Sequence, residues 1–253
     1  MANPVCLKED QKLAIYIICD VIEYGLSSSL ASQYLSQVLP ILYEHCSSSS
    51  SSSSVRQMSA YALGISSSIH SLNMSQYFIS SLQVLAICIS IGDDDDDNNN
   101  DDDTKGTSGT SGTSGISGTR GPCTDTACGS VAIILEVAEN LNISLNYHHL
   151  WHQVLSYLPI VNDHEEAIRV HGQVIRLLLN NNNSINTNDD NRIIMILKIL
   201  LEIYGTEYSN SDIDGKICQY LRVVVVNDDV KNALNVMNTS FIGKFDTIIK
   251  STY

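Results

Sequence analysis

Three histidines stand close together in the chain with a spacing that suits metal ligands. His148, His149 and His152 lie at i, i+1 and i+4, which places two imidazoles on one face of a helix. The general-base glutamate of a His-Glu-x-x-His metalloprotease helix does not accompany them. We therefore interpret the three residues as polar positions at the start of a helix and predict no metal site.

Two cysteines flank the predicted start of another helix. Cys123 and Cys128 could be redox-active, because a helix N-terminus lowers the pKa of a nearby thiol. Their spacing is not Cys-x-x-Cys and no third ligand accompanies them, so a buried or inert role is favoured. The chain has 7 cysteines, an odd number without a dense framework, which indicates reduced thiols in a reducing compartment.

Motifs of catalysis and of nucleotide binding are missing from the sequence. No Gly-x-Ser-x-Gly turn presents a nucleophile. The glycines of residues 106–121 occur in Gly-Thr-Ser triplets, without the Lys and the preceding strand of a phosphate-binding loop. We therefore predict a protein that is not an enzyme, with no catalytic residue and no cofactor.

The charge balance of the chain restricts its partners. Asp and Glu number 28 against 14 Lys and Arg, for a formal net charge of -14. Binding of nucleic acid depends on neutralising phosphates, so this class of partner is excluded and basic proteins are favoured. Residues 93–103 contain eight Asp and have two interpretations: a solvated expansion without function, which we favour, or an electrostatic lure for basic cargo.

No membrane segment or secretory signal is predicted. Residues 1–10 lack an apolar core of the kind a signal peptide needs. The longest apolar stretches, 77–91 and 193–204, are shorter than the about 20 residues of a spanning helix. We expect a soluble protein.

Apolar residues recur every three or four positions through most of the chain, which predicts amphipathic helices and an all-α fold. Gly64 is interpreted either as a residue near a helix end or as a small residue at a helix crossing, and Pro40 is expected to kink its helix. The ten predicted helices are 8–25, 30–46, 55–69, 75–91, 123–140, 146–159, 163–180, 191–204, 210–226 and 228–250.

Three low-complexity segments interrupt the helices and are expected to be disordered insertions: 47–54, 92–122 and 181–190. Without them the two-helix period is near 40 residues, which is typical of an α-solenoid of HEAT-like antiparallel helix pairs. We predict a single array of about five pairs over residues 1–253. A helical bundle is the alternative.

Several segments resemble, in order and spacing, the C-terminal HEAT repeats of importin-β-type karyopherins, and most closely the importin beta-three branch. The residues that carry the resemblance are Asp20-Val21-Ile22-Glu23, Val55-Arg56-Gln57, Ala60-Tyr61, Leu63-Gly64, Leu155-Ser156-Tyr157-Leu158-Pro159 and Glu165-Glu166-Ala167. The chain departs from the pattern at Asp125-Thr126, where Glu-Asn is expected, and before Val55, where polyserine replaces the Asp that often precedes the HEAT Arg.

The resemblance implies a non-catalytic segment of a nuclear transport receptor that binds basic protein cargo, in the cytoplasm and nucleus. RanGTP and nucleoporins bind N-terminal repeats of such receptors, and those repeats are absent from this sequence. The alternative function is a HEAT scaffold subunit of a different multiprotein assembly.

The partner-binding surface is expected on the second helix of each pair, which lines the concave face of a HEAT array. The predicted contact residues are the polar positions Asp20, Glu23, Gln57, Tyr61, Glu136, Glu139, Glu166 and Arg169.

The same helical spacing predicts the core. We expect the following side chains to be mostly buried: Leu13, Ile17, Val21, Leu35, Leu39, Leu42, Ala60, Leu63, Leu82, Leu85, Ile134, Trp151, Leu155, Leu158, Ile175, Leu178, Ile196 and Leu200.

Overall fold

The computed structural model describes residues 8–25, 28–69, 74–93, 120–180, 182–186, 189–225, 230, 237 and 239–250. Within these residues the chain forms ten α-helices and no β-strand, which confirms the all-α prediction. The helices are α1 (Lys8–Asp20), α2 (Ser28–Ser47), α3 (Ser53–Ser68), α4 (Phe78–Ile91), α5 (Pro122–Asn140), α6 (Tyr147–Ser156), α7 (His164–Leu179), α8 (Asp190–Ile203), α9 (Ser211–Val224) and α10 (Thr239–Lys250). A π-helical turn, Val21–Gly25, follows α1, and a 3₁₀ turn, Met74–Tyr77, precedes α4.

The chain divides into two compact units, Met1–Ile134 and Leu135–Tyr253. In the first unit, α1 and α2 each pack against the helix two positions further along the chain, and α3 also packs against its neighbours α2 and α4. Helix α1 packs on α3, and α2 packs on both α3 and α4. Helices α3 and α5 meet where Gln57 Nε2 donates to Thr126 Oγ1 at 3.1 Å and where Gly64 lies against Ser130. Because both contacts advance in the same direction along the two helices, α3 and α5 run parallel.

In the second unit, two helix pairs show the same relation. Helix α6 packs on α8 and α7 packs on α9, while α10 packs on both α8 and α9. The part of α5 that belongs to this unit is tied to α7 by an ion pair between Arg176 and Glu136, with N and O 2.7 Å apart. Contact between helices two positions apart is the pattern that successive helix pairs produce when they stack.

Most of the predicted core is buried. Leu39, Leu63, Trp151 and Ile175, for example, are each at most 2% exposed. Two predictions are wrong: the side chains of Leu13 and Ile17 are 60% and 54% exposed.

The face of α1 and its π-helical turn that enters the core is formed instead by Ile15, Cys19 and Ile22, which lie at i, i+4 and i+7. Leu13 and Ile17 lie on the opposite side of the same helix, since a helix turns by about 100° per residue. Val21 and Leu82, also predicted to be buried, are half-buried.

The serine-rich connection between α2 and α3 is shorter than the insertion predicted at 47–54. Ser47 is the last residue of α2, and Ser53 already begins α3. The Ser52 hydroxyl accepts from the Val55 N–H at 3.4 Å, which is the role of an N-cap serine. The run therefore supplies helix ends as well as a turn.

The asparagine-rich connection before α8 contains a packed turn. Ile185 is completely buried, and the Asn186 side chain donates to the Leu178 carbonyl at 3.2 Å. The buried Ile185 and the hydrogen bonds of its neighbours anchor residues 182–186, which differs from the disordered insertion expected at 181–190. Of the insertion expected at 92–122, residues 94–119 lie outside the described residues.

Helix α4 and the turn before it are markedly apolar. By length and composition alone, Met74–Ile91 could cross a membrane, with a mean hydropathy of 1.5 and 33% of the segment buried. A single segment of this kind is weak evidence, because core helices of globular proteins have the same composition. It supports no membrane assignment here.

Truncating one buried and one exposed leucine of the first unit compares its core with its surface. We expect Leu63→Ala to lower the free energy of unfolding by about 2 to 5 kcal/mol, because it leaves a cavity at a fully buried position. Leu13→Ala, at an exposed position, should change it by less than about 0.5 kcal/mol. Urea titrations of both variants test this, and an equal loss from Leu13→Ala would show that the exposed face is covered in solution.

Two helical glycines should respond in opposite directions to the same substitution. A Cβ at Gly64 would lie 2.6 Å from Ser130 Oγ and 2.9 Å from its Cβ, whereas a Cβ at Gly215 would have nothing within 4 Å. Gly64→Ala should therefore destabilise by about 1 to 3 kcal/mol through overpacking, and Gly215→Ala should stabilise by about 0.5 to 1 kcal/mol. A stabilising Gly64→Ala in thermal unfolding would contradict the close crossing of α3 and α5.

Candidate functional site

The predicted contact residues of the first unit form a small polar group at the end of α1 and the start of α3. Asp20 and Glu23 are exposed, and the Tyr61 hydroxyl donates to Glu23 Oε2 at 3.2 Å. Burial, together with the negative charge of Glu23, raises the pKa of Tyr61 to about 12, so its hydroxyl remains a donor at neutral pH. Gln57 is engaged with Thr126, so Asp20 and Glu23 are the members of this group that face solvent.

The predicted contact residues of the second unit are engaged within the unit itself. Glu136 pairs with Arg176, and Glu166 is buried and accepts from Arg169 Nε at 2.9 Å. These carboxylates and guanidinium groups satisfy one another.

Glu139 has a distinct role in the same unit. Its carboxylate accepts from the Asn182 amide at 2.8 Å and from the Ser184 hydroxyl, so it organises the turn before α8. Reversing its charge would disturb that turn as well as any bound partner.

A dense group of polar contacts surrounds the N-terminus of α5. The Asp93 carboxylate accepts from the backbone N–H groups of Cys123 and Thr124, at 2.9 and 3.1 Å, and from the Thr124 hydroxyl at 3.0 Å. It also accepts from the Ser53 hydroxyl at 2.8 Å. A carboxylate at this position satisfies N–H groups that have no partner within the helix and is favoured by the helix dipole.

Arg56 joins two further chain segments at the same place. Its guanidinium is fully buried and donates to the carbonyl of Ser51 and, at 2.9 Å, to that of Gly92. The arginine therefore links the turn between α2 and α3 to the end of α4.

Two thiols meet beside this site. The Sγ atoms of Cys88 and Cys123 are 3.5 Å apart, and both side chains are fully buried. The hydrogen bond with Cys88, followed by burial, raises the pKa of the Cys123 thiol above its ordinary value. Both effects favour the neutral thiol, which opposes the reactivity considered for Cys123 at a helix N-terminus. Cys128 is buried as well.

One residue of the histidine cluster, His148, accepts hydrogen bonds from a neighbouring arginine. The buried Arg192 donates to the backbone carbonyl of His148 and, at 3.2 Å, to His148 Nδ1. His149 is exposed and His152 is half-buried. Among the residues for which side chains are described, no group of three His, Cys, Asp or Glu is arranged to hold a metal ion.

A buried histidine that the sequence analysis did not select holds two loops of the second unit. His171 Nδ1 lies 2.8 Å from the Tyr208 carbonyl, so it donates, and Nε2 accepts from the Ile160 N–H at 3.1 Å. Its position on the apolar face of α7 is the only signal that the sequence contains. Asp93 was overlooked for a different reason, because it begins the Asp run and could not be told apart from its neighbours.

A function for this chain has to be inferred from the geometry described above, because comparisons with known proteins supply none. No protein-family model and no curated protein matches the chain. The structural roles of the buried polar groups, and the exposure of Asp20 and Glu23, are therefore the observations on which a function can be based.

The effect of deleting the acidic insertion on stability should depend on whether the deletion includes Asp93. Gly121 lies against the Asp93 carboxylate, so the two ends of the acidic insertion are adjacent. Replacing residues 94–119 with a short Gly/Ser link should leave the unfolding midpoint nearly unchanged. Replacing 93–121 should lower the stability by about 1 to 3 kcal/mol, because it removes charged hydrogen bonds and a helix cap. Equal midpoints for the two deletions would show that Asp93 is dispensable.

Proposed function

We propose that the chain is a protein-binding array of HEAT-type helix pairs that serves as a segment of a nuclear transport receptor and holds basic protein cargo. The observation that carries this proposal is the packing of helices on the helix two positions along. The side-chain links have a matching period: Arg56 reaches Gly92, His171 reaches Tyr208 and Glu136 reaches Arg176, at separations of 36, 37 and 40 residues. The longest of these separations falls at the lower end of the about 40 to 47 residues that HEAT and armadillo repeats span.

Binding accounts for the polar groups better than catalysis does. The buried Asp125, Arg56 and His171 have partners within the chain. Helical repeat arrays generally act through surfaces, because each repeat contributes a few exposed side chains to an extended face.

The charge of the chain favours a basic partner. A net charge of -14 attracts cations over a Debye length and accelerates their encounter with the surface. Of the eight predicted contact residues, Asp20 and Glu23 combine negative charge with exposure. We place the cargo contact at these two carboxylates, which narrows the surface first expected.

The alternative function is a scaffold subunit of another assembly, which would use the same stacked helices without transport. The two functions differ in the fate of the bound partner. A transport segment belongs in the cytoplasm and nucleus and works together with repeats that bind RanGTP and nucleoporins. A scaffold holds its partner in one assembly.

Cargo binding is tested with a labelled Lys/Arg-rich peptide at low ionic strength. The double variant Asp20→Asn/Glu23→Gln should weaken binding by about threefold to tenfold, since an exposed ion pair contributes about 0.2 to 1 kcal/mol. The control variant Glu165→Gln/Glu207→Gln removes two exposed carboxylates of the second unit and should bind as the unchanged chain does. Equal affinities for all three proteins in fluorescence anisotropy would contradict the assigned contact.

Transport and scaffolding are separated in permeabilised cells. The full chain, joined to a receptor's N-terminal repeats, should carry a fluorescent Lys/Arg-rich reporter into nuclei when RanGTP is supplied. Peptide binding without nuclear accumulation would favour the scaffold.

A further inference from the structure

Helix α1 and its π-helical turn present an apolar stripe to solvent, here called the outer face of α1. It consists of Leu13, Ile17 and Tyr24, which are 60%, 54% and 79% exposed, with Asp20 between the last two. The face lies opposite the side of α1 that packs on α3. It is therefore where a further helix would rest if the stacking continued.

Exposed apolar side chains are concentrated here. Of the ten large apolar residues that are exposed in the described residues, four belong to this region: Leu13, Tyr16, Ile17 and Tyr24. Scattered exposed apolar residues are ordinary on a protein surface, but a contiguous group rimmed by polar residues indicates an interaction site.

The rim of the outer face is acidic. Glu9 and Asp10 are exposed at its beginning, and Asp20 and Glu23 are exposed towards its end. Lys12, a cation of the same helix, is half-buried. A partner for this surface must cover a narrow apolar stripe and bring positive charge to both of its ends.

We propose that the outer face of α1 binds an amphipathic helix of a partner protein, with an apolar stripe flanked by Lys and Arg. The stripe extends over the 11 positions between Leu13 and Tyr24, about 16 Å, so a helix of three to four turns covers it. The partner helix packs on α1 in the way that α1 packs on α3, and its cations meet the acidic rim.

Charge selects this occupant over two others. A second copy of the chain would place the same carboxylates against one another, at an electrostatic cost. An anionic membrane surface would be repelled by the same rim. A basic helix is the occupant that the stripe and the rim both favour.

This inference rests on the proposed function, because it also requires a basic partner, but it adds a requirement for helical shape and apolar contact. The probe is a synthetic Leu/Lys peptide of about 14 residues with one apolar stripe. A scrambled peptide of identical composition, which has no stripe, is the second ligand. Both are titrated into the full chain at equal ionic strength.

The decisive variant is Leu13→Ser/Ile17→Ser. It should weaken binding of the amphipathic peptide by about tenfold or more, as expected when two large apolar side chains leave a contact, and should leave binding of the scrambled peptide unchanged. The control variant Ile79→Ser/Ile87→Ser removes two exposed apolar residues of α4, which are 57% and 45% exposed, and should bind both peptides normally. Circular dichroism should show the same helicity and melting temperature for both variants, because the replaced side chains are exposed.

The outcomes separate the inference from the proposed function. If both peptides bind equally and only Asp20→Asn/Glu23→Gln weakens them, the outer face is not a helix site and the charge-based function remains. If neither peptide binds, both proposals are overturned. Concentration-dependent dimerisation that Leu13→Ser/Ile17→Ser abolishes, or binding of the chain to phosphatidylserine vesicles, would assign the face to a second copy or to a lipid surface and overturn the inference.

Discussion

The carboxylate of Asp93 and the guanidinium of Arg56 hold together the helix ends of the first unit. Asp93 bonds the first turn of α5 and the first residue of α3, while Arg56 bonds the turn before α3 and the residue after α4. Helix termini leave backbone groups unsatisfied, and burying them without partners would be costly. These two side chains allow the ends of three helices to meet in one place.

The second unit meets the same requirement with different residues. Arg192 bonds the carbonyls of Ser184 and His148, and His171 joins Ile160 to Tyr208. In each case a polar side chain on a helix reaches the backbone of a connection, and Arg192 also reaches the first turn of α6. Removing such a side chain would leave several backbone groups without partners at once, so its role extends beyond the contacts of one residue.

The helices and most of the core could be predicted because apolar periodicity is local. A buried position such as Leu63 or Ile175 is indicated by its neighbours three and four residues away. Helix α1 was more difficult, because it carries apolar residues on two opposite faces and periodicity alone does not say which one enters the core.

The polar site could not be predicted, because it depends on which chain ends come together. Asp93 is one aspartate among eight in its tract, and only the position of α5 gives it a role. Glu139 was expected to contact a partner, but its carboxylate binds the turn at Asn182 and Ser184, which are more than 40 residues away in sequence.

The native buried cysteines can report local opening of the helices through thiol labelling. Six free cysteines lie buried in the described residues: Cys218 belongs to the second unit, and the first unit contains Cys19, Cys46, Cys88, Cys123 and Cys128. Burial, followed by the charges of Asp20 and Glu23, raises the pKa of Cys19 to about 12, so a thiol reagent finds almost no thiolate while the helix is closed. Labelling then occurs in the small fraction of molecules in which a helix is locally open. The order in which the cysteines react therefore ranks the helices by local stability without any introduced probe.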